Sequence, residues 1–205
     1  MEGNSKAHWE QVYQTKSPEQ VSWTQAVPQT SLDLIQSFAL PKTANIIDIG
    51  GGDSNLVDHL LQAGYINLTI LDISAAALEK AKLRLGKQAA RVKWIVTDIA
   101  EFQPEENYDL WHDRATFHFL TEESQIATYT NIVVKAVSQY LVIGAFSANG
   151  PEKCSGLPIR QYTETSLQGR FQKSFSKVRC HTEDHTTPFD TTQNFLFCSF
   201  KRLSH

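Results

Sequence analysis

From residue 45 onward, short apolar runs alternate with segments of helical period, and this alternation limits the possible folds more than any other feature of the chain. The runs are NIIDI, NLTIL, RVKWIV, YDLW and YLVIGAF. Strands separated by helices are joined by crossovers, so the expected sheet is mostly parallel, with its ligand crevice outside the carboxyl ends of the strands. SNLVDHLLQAG sets Leu56, Leu60 and Leu61 at helical spacing and stops at Gly64, while SAAALEKAKLRLG opens on Ser74 as cap and stops at Gly86. A third helix near TEESQIATYTNIVVKAV takes Thr121 as its cap, with Ser124 where a full capping box has Glu or Gln.

The two ends differ from this middle. KVRCHTED and QNFLFCSFK have strand composition and are joined by the turn-like TPFDTT, which predicts a closing antiparallel pair. Residues 1–44 hold one amphipathic helix, roughly SLDLIQSF, behind a stretch bearing Trp9, Tyr13 and Trp23 that can lie over the ligand end of the sheet. With 205 residues, one domain is expected: an arm with a lid helix over 1–44 and a core over 45–205. The fold class is therefore α/β, doubly wound and mostly parallel.

Composition removes several function classes. Hydrophobic residues at 41% against 20% charged exclude a disordered chain, and 19 Lys and Arg against 22 Asp and Glu leave no excess of cations to neutralise phosphates, so no nucleic-acid partner is expected. MEGNSKAHWE lacks a basic segment followed by an apolar run, and no later stretch has the length of a membrane span; a soluble, cytoplasmic protein without a membrane partner is expected. Cys154, Cys180 and Cys198 form no CxxC pair, which predicts three small buried or half-buried thiols and neither a disulfide framework nor a zinc site. His181 and His185 flank Glu183 and Asp184 without a third ligand in view, so a solvated strand edge is expected there and no metal.

The sharpest local signal is Asp48-Ile49-Gly50-Gly51-Gly52-Asp53-Ser54, between an apolar strand and a helix. Bare glycines at that turn let a ligand approach the backbone, and helix N–H groups face it. Asp72 ends the second strand at the spacing of a carboxylate that accepts ribose hydroxyls, and Asp98 ends the third, where it can meet an adenine amino group beside the N–H of Ile99. A nicotinamide loop is disfavoured because Asn55 stands where its third small residue belongs, and a Walker loop is excluded because no Gly-Lys-Ser/Thr follows.

In Asp48, Gly50, Gly52, Asp72 and Asp98 the chain resembles, position by position, the class I, seven-strand S-adenosylmethionine-dependent methyltransferases; Ser54 stands where that family usually has a third glycine. The resemblance implies S-adenosyl-L-methionine as donor and S-adenosyl-L-homocysteine as product, on a Rossmann-like seven-stranded sheet with a closing antiparallel pair. It also implies cofactor contact at Asp48, Gly50, Gly51, Gly52, Asp72, Ile73, Asp98, Ile99 and His112. HWEQVYQTKSPEQVSW is similar to the amino-terminal arm of the group that includes elongation-factor and citrate-synthase lysine methyltransferases, in which the counterparts of Trp9, Tyr13 and Trp23 touch the methionine end of the cofactor. Trp9 and Tyr13, four apart, also have the spacing to pin the arm to the sheet.

The run from Tyr108 to Phe119 belongs at the carboxyl end of the sheet, where the methyl group must be. Asp113, Arg114, Ala115 and Thr116 match the lysine enzymes conservatively, whereas His118 replaces their second acid. The HDRA-x-FHFL and GP-x-x-CSGL segments are more similar to small uncharacterised bacterial methyltransferases. His118 and His112 are candidate general bases, and each is equally well explained as a packed histidine; Asp113 is a candidate catalytic acid or the ion-pair partner of Arg114. The expected acceptor is a small molecule, with a protein lysine as the alternative and a cofactor-binding pseudo-enzyme acting through a partner as a third possibility. The site is expected to be lidded by residues 8–24, 112–119 and 147–160.

Overall fold

Ile46, Ile47 and Ile49 are wholly buried, so the NIIDI run is covered on both faces and forms an inner strand of the sheet, β1 (Asn45–Ile49). In the computed structural model, which describes residues 2–204, two helices precede it, α1 (Glu2–Thr15) and α2 (Gln29–Ser37). There follow α3 (Leu56–Gln62), β2 (Asn67–Asp72), α4 (Ala75–Leu85), β3 (Val92–Val96), β4 (Tyr108–Arg114), α5 (Glu123–Ala136) and β5 (Val137–Phe146). The chain closes with a small hairpin, β6 (Lys153–Cys154) and β7 (Leu157–Pro158), then α6 (Glu164–Phe171), β8 (Phe175–Thr186) and β9 (Thr192–Arg202). The main sheet has the order β3-β2-β1-β4-β5-β9-β8, in which only β9 runs against its neighbours. The strand order reverses between β1 and β4, and in such sheets ligands bind above that point.

Apolar side chains cover both faces of the sheet. On one face, Tyr129 and Val133 of α5 and Phe171 of α6 pack with Trp111 and Ile143 of the strands beneath them. On the other, Ile35, Leu60 and Leu78 of α2, α3 and α4 join Leu110 and Phe197. The sheet is thus a middle layer between two layers of helices, as the alternating pattern predicts.

Helix ends follow local chemistry. Ser74 Oγ accepts the Ala77 N–H (3.2 Å) to open α4, and Gly86 closes it at a positive φ of 56°. For α5 the cap is Glu122 and not Thr121: the Gln125 side chain accepts the Glu122 N–H (3.2 Å), completing the box one residue later than expected. α1 and α6 lie outside the sequence expectation, because neither carries a continuous apolar stripe. β4 runs three residues beyond YDLW, through His112, Asp113 and Arg114, which are therefore strand residues and not loop residues.

Two of the expected thiols are bonded instead. Cys180 and Cys198 stand directly opposite in the β8/β9 register and form a disulfide, while Cys154 stays free and buried. The solvated edge expected at His181 and His185 is also corrected: His185 is 5% exposed and its Nε2 donates to the Ser22 carbonyl (2.7 Å). No described helix is long and apolar enough to cross a membrane.

Candidate active site

A cavity of about 880 Å³ opens at the carboxyl ends of β1, β2, β3 and β4. Its wall includes Asp48, Gly50, Gly51, Asp72, Ile73, Asp98, Ile99 and His112, and Trp9, Tyr13 and Trp23 lie on it from the arm. Gly52 is not on the wall. It stands behind Tyr13, and a Cβ there would lie 2.8 Å from the Tyr13 hydroxyl and 3.1 Å from Asp72 Oδ2.

The loop needs its glycines. Gly50 has φ of 64° and lies under Thr116, whose hydroxyl donates to the Ile49 carbonyl (3.2 Å); a side chain at Gly50 would collide with it. At Gly51 a Cβ would come within 2.6 Å of Ile70 and 2.7 Å of Asp48 Oδ2.

Each strand-end acid has its own setting. Asp72 is 5% exposed and accepts the Ser74 N–H (2.8 Å); burial, with the Asp48 charge adding to it, pushes its carboxyl up to about 7 against the backbone hydrogen bonds. Asp98 accepts the Ala100 N–H (2.9 Å) in a tight turn. Asp48 accepts from His112 Nδ1 (2.6 Å), and His112 Nε2 stands 2.9 Å from Ser31 Oγ on α2. Asp48, His112 and Ser31 are all buried, and all three line the cavity.

The arm is seated by polar contacts as well as rings. Trp9 packs edge-on against Trp23 (5.6 Å) and Phe119 (5.2 Å), and Tyr13 against Trp23 (6.1 Å). Glu10 accepts the N–H groups of Ala75 (2.7 Å) and Ala76 (3.1 Å) at the start of α4, where the helix dipole favours a carboxylate. Pinning and cavity contact therefore coexist at Trp9 and Tyr13.

The structure separates the remaining candidates. Successive strand residues face opposite ways, so His112 and Arg114 share the cavity side of β4 while Asp113 points into the core beneath α5. Asp113 is fully buried, lies off the cavity wall, and accepts from Tyr129 Oη (2.6 Å), Thr116 N (2.9 Å) and Phe117 N (3.1 Å). It holds the turn after β4, and the Asp113–Arg114 ion pair considered from sequence is not formed. His118 also lies off the wall: it is fully buried, its Nδ1 accepts the Phe146 N–H (3.2 Å), and burial next to Arg114 lowers its pKa to about 3. Ser31, Arg114 and Cys154 are cavity residues that the sequence does not mark as a group. The signal available for Arg114 is its two-residue spacing from His112 within a strand.

Residues 46–135 match a family model described as a methyltransferase domain. The malonyl-[acyl-carrier protein] O-methyltransferase of Anoxybacillus flavithermus is 42% identical over 82 residues, covering 39% of this chain and 30% of that protein. The eEF1A lysine and N-terminal methyltransferase of Mus musculus is 22% identical over 183 residues, covering 88% of this chain and 25% of that protein. The chain thus spans about a third or less of these curated relatives. Among solved structures, an S-adenosylmethionine-dependent methyltransferase from Anabaena variabilis superposes with a TM-score of 0.74 at 15% identity, covering 98% of this chain and 96% of that one. The N-methyltransferase NodS of Bradyrhizobium japonicum in complex with S-adenosylhomocysteine gives 0.66 at 19%, covering 86% of each. Sheet order, glycine loop and superposition agree with the match over residues 46–135: the chain has the Rossmann-like fold seen in S-adenosylmethionine-dependent methyltransferases, and that segment is similar to a methyltransferase domain.

Proposed function

We propose that this protein is a cytoplasmic S-adenosylmethionine-dependent methyltransferase acting on a small-molecule acceptor. The observation that carries the reading is the joint placement of the Gly50–Gly51 turn, Asp72, Asp98 and Ile99 on one wall of a cavity. These residues fit the cofactor. The bare turn admits its backbone-close portion, Asp72 offers a carboxylate to two ribose hydroxyls, and Asp98 with Ile99 offers an acceptor and a donor to adenine. When bound, the cofactor supplies a sulfonium methyl for in-line displacement.

The chain's own residues orient and shield. Trp9, Tyr13 and Trp23 exclude water from above, and the His112 ring, fixed by Asp48, can take an acceptor proton at Nε2 through the Ser31 hydroxyl. The roof of aromatic rings favours a small acceptor over a protein lysine. The similarity over 88% of this chain to the eEF1A lysine and N-terminal methyltransferase favours the lysine alternative. Cys180 and Cys198 are brought opposite one another by the β8/β9 register itself, so their proximity carries no argument for a secreted setting.

Calorimetry tests the cofactor: S-adenosylhomocysteine is expected to bind and NAD is not. Asp72→Ala should weaken binding at least about tenfold, since two charge-assisted hydrogen bonds of roughly 1.5–3 kcal/mol each are lost. NAD binding without a response to S-adenosylhomocysteine overturns the proposal. Labelled cofactor offered to a lysate, then separated by mass, tells the acceptor classes apart.

A further inference from the structure

We propose that the acceptor of this enzyme carries an anionic group, a carboxylate or a phosphate, and that Arg114 receives it; the inference rests on the methyltransferase reading above. Buried side-chain nitrogens and oxygens without a hydrogen-bond partner occur, among the described residues, on Arg114, His118, Tyr162, His181, Glu183 and Gln193, and of these only Arg114 lines the cavity. Its Nη1 donates to the Trp23 carbonyl (3.0 Å), and its guanidinium lies 4.7 Å from the centre of the Phe195 ring. The two unpartnered atoms are Nε and Nη2, which together form the edge of a guanidinium that presents two parallel N–H donors. That edge matches the two oxygens of a carboxylate or phosphate, and lysine could not reproduce it.

No described carboxylate lies within ion-pair distance of Arg114. Glu183 and Asp48 act on its charge from farther away, and Glu183 Oε2 is itself unpartnered. A buried cation with an open donor edge is costly, and pairing with an anion relieves that cost. Arg114 stands on β4, two strands from Asp72 on β2, and its guanidinium lies against Phe195 of β9, two strands farther on and away from Asp72. That placement favours the acceptor over the cofactor's own carboxylate, and the test below separates the two.

The test uses the full chain saturated with S-adenosylhomocysteine and follows the Arg114 Nε–H signal by NMR, assigned by its loss in Arg114→Lys. Malonate, phenylacetate and inorganic phosphate are the probes, with malonamide and phenylacetamide as neutral controls. At least one anion should shift the signal while the amides leave it in place, and the affinity should fall at least about tenfold in Arg114→Met, with Arg114→Lys in between. A signal indifferent to every anion overturns the proposal. So does a loss of S-adenosylhomocysteine affinity in Arg114→Met with unchanged binding of 5′-methylthioadenosine, which would assign Arg114 to the cofactor carboxylate. Failure of the wild type to bind S-adenosylhomocysteine would instead strike the methyltransferase reading.

Discussion

The end of β4 has two sides that differ in how completely their polar groups are satisfied. On the core side, Asp113 accepts three hydrogen bonds and Tyr129 also receives one from Trp111 Nε1 (2.9 Å). On the cavity side, His112 is held by Asp48 and Ser31, but Arg114 leaves two donors open. A closed network fixes a backbone, whereas buried donors without a partner leave a desolvation cost that a new partner would relieve. The same strand thus puts a closed network on one side and unpartnered donors on the other by the two-residue alternation of its side chains.

The largest effect expected from breaking this contrast is on the core side. Asp113→Ala leaves the Tyr129 hydroxyl and two backbone N–H groups without an acceptor inside the core, and should cost about 3–5 kcal/mol of stability. Denaturant unfolding measures it. A loss under about 1 kcal/mol would mean that the network does not hold the turn.

A smaller effect should arise in the pH dependence of stability. Burial pushes Asp113 up to about 6 and Asp72 up to about 7, both above the unfolded value of roughly 3.9. The native state then binds more protons than the unfolded state between those values, so stability is fully present below about pH 4 and is lost as pH rises through 6 and 7. Each group contributes up to about 1.4 kcal/mol per pH unit. Asp72→Asn should remove the upper part of this fall and Asp113→Asn the lower. Saturating S-adenosylhomocysteine should flatten only the Asp72 part, because ribose hydroxyls favour the charged carboxylate. Thermal melts from pH 4 to 8 show whether the two parts separate.

The cavity wall at the ends of β1, β2 and β3 is legible in the sequence because its signals are local: a glycine turn after an apolar run, and acids at successive strand ends. The wall at the end of β4 is not. YDLW ends the obvious apolar run, which leaves His112, Asp113 and Arg114 in an apparent loop, and without the strand alternation their opposite orientations are invisible. α1 escapes a periodicity reading because its hold on the core comes through a few rings and Glu10 rather than an apolar stripe. The Cys180–Cys198 bond depends on the β8/β9 register, which strand composition alone does not specify.

The smallest expected effect concerns His118, which the sequence offers as a general base. Its Nδ1 accepts the Phe146 N–H, so the neutral ring carries its proton on Nε2, and that N–H has no partner. Burial holds the pKa near 3, leaving the ring neutral at working pH, and the side chain does not reach the cavity. His118→Leu should remove the unpartnered Nε2–H but also strand the Phe146 N–H, two opposing changes that leave a net loss of about 1 kcal/mol. S-adenosylhomocysteine affinity should stay within a factor of roughly two of wild type, since no cavity atom is altered. Calorimetry on the variant decides the matter: a large drop in affinity, with the melting temperature little changed, would return His118 to the site.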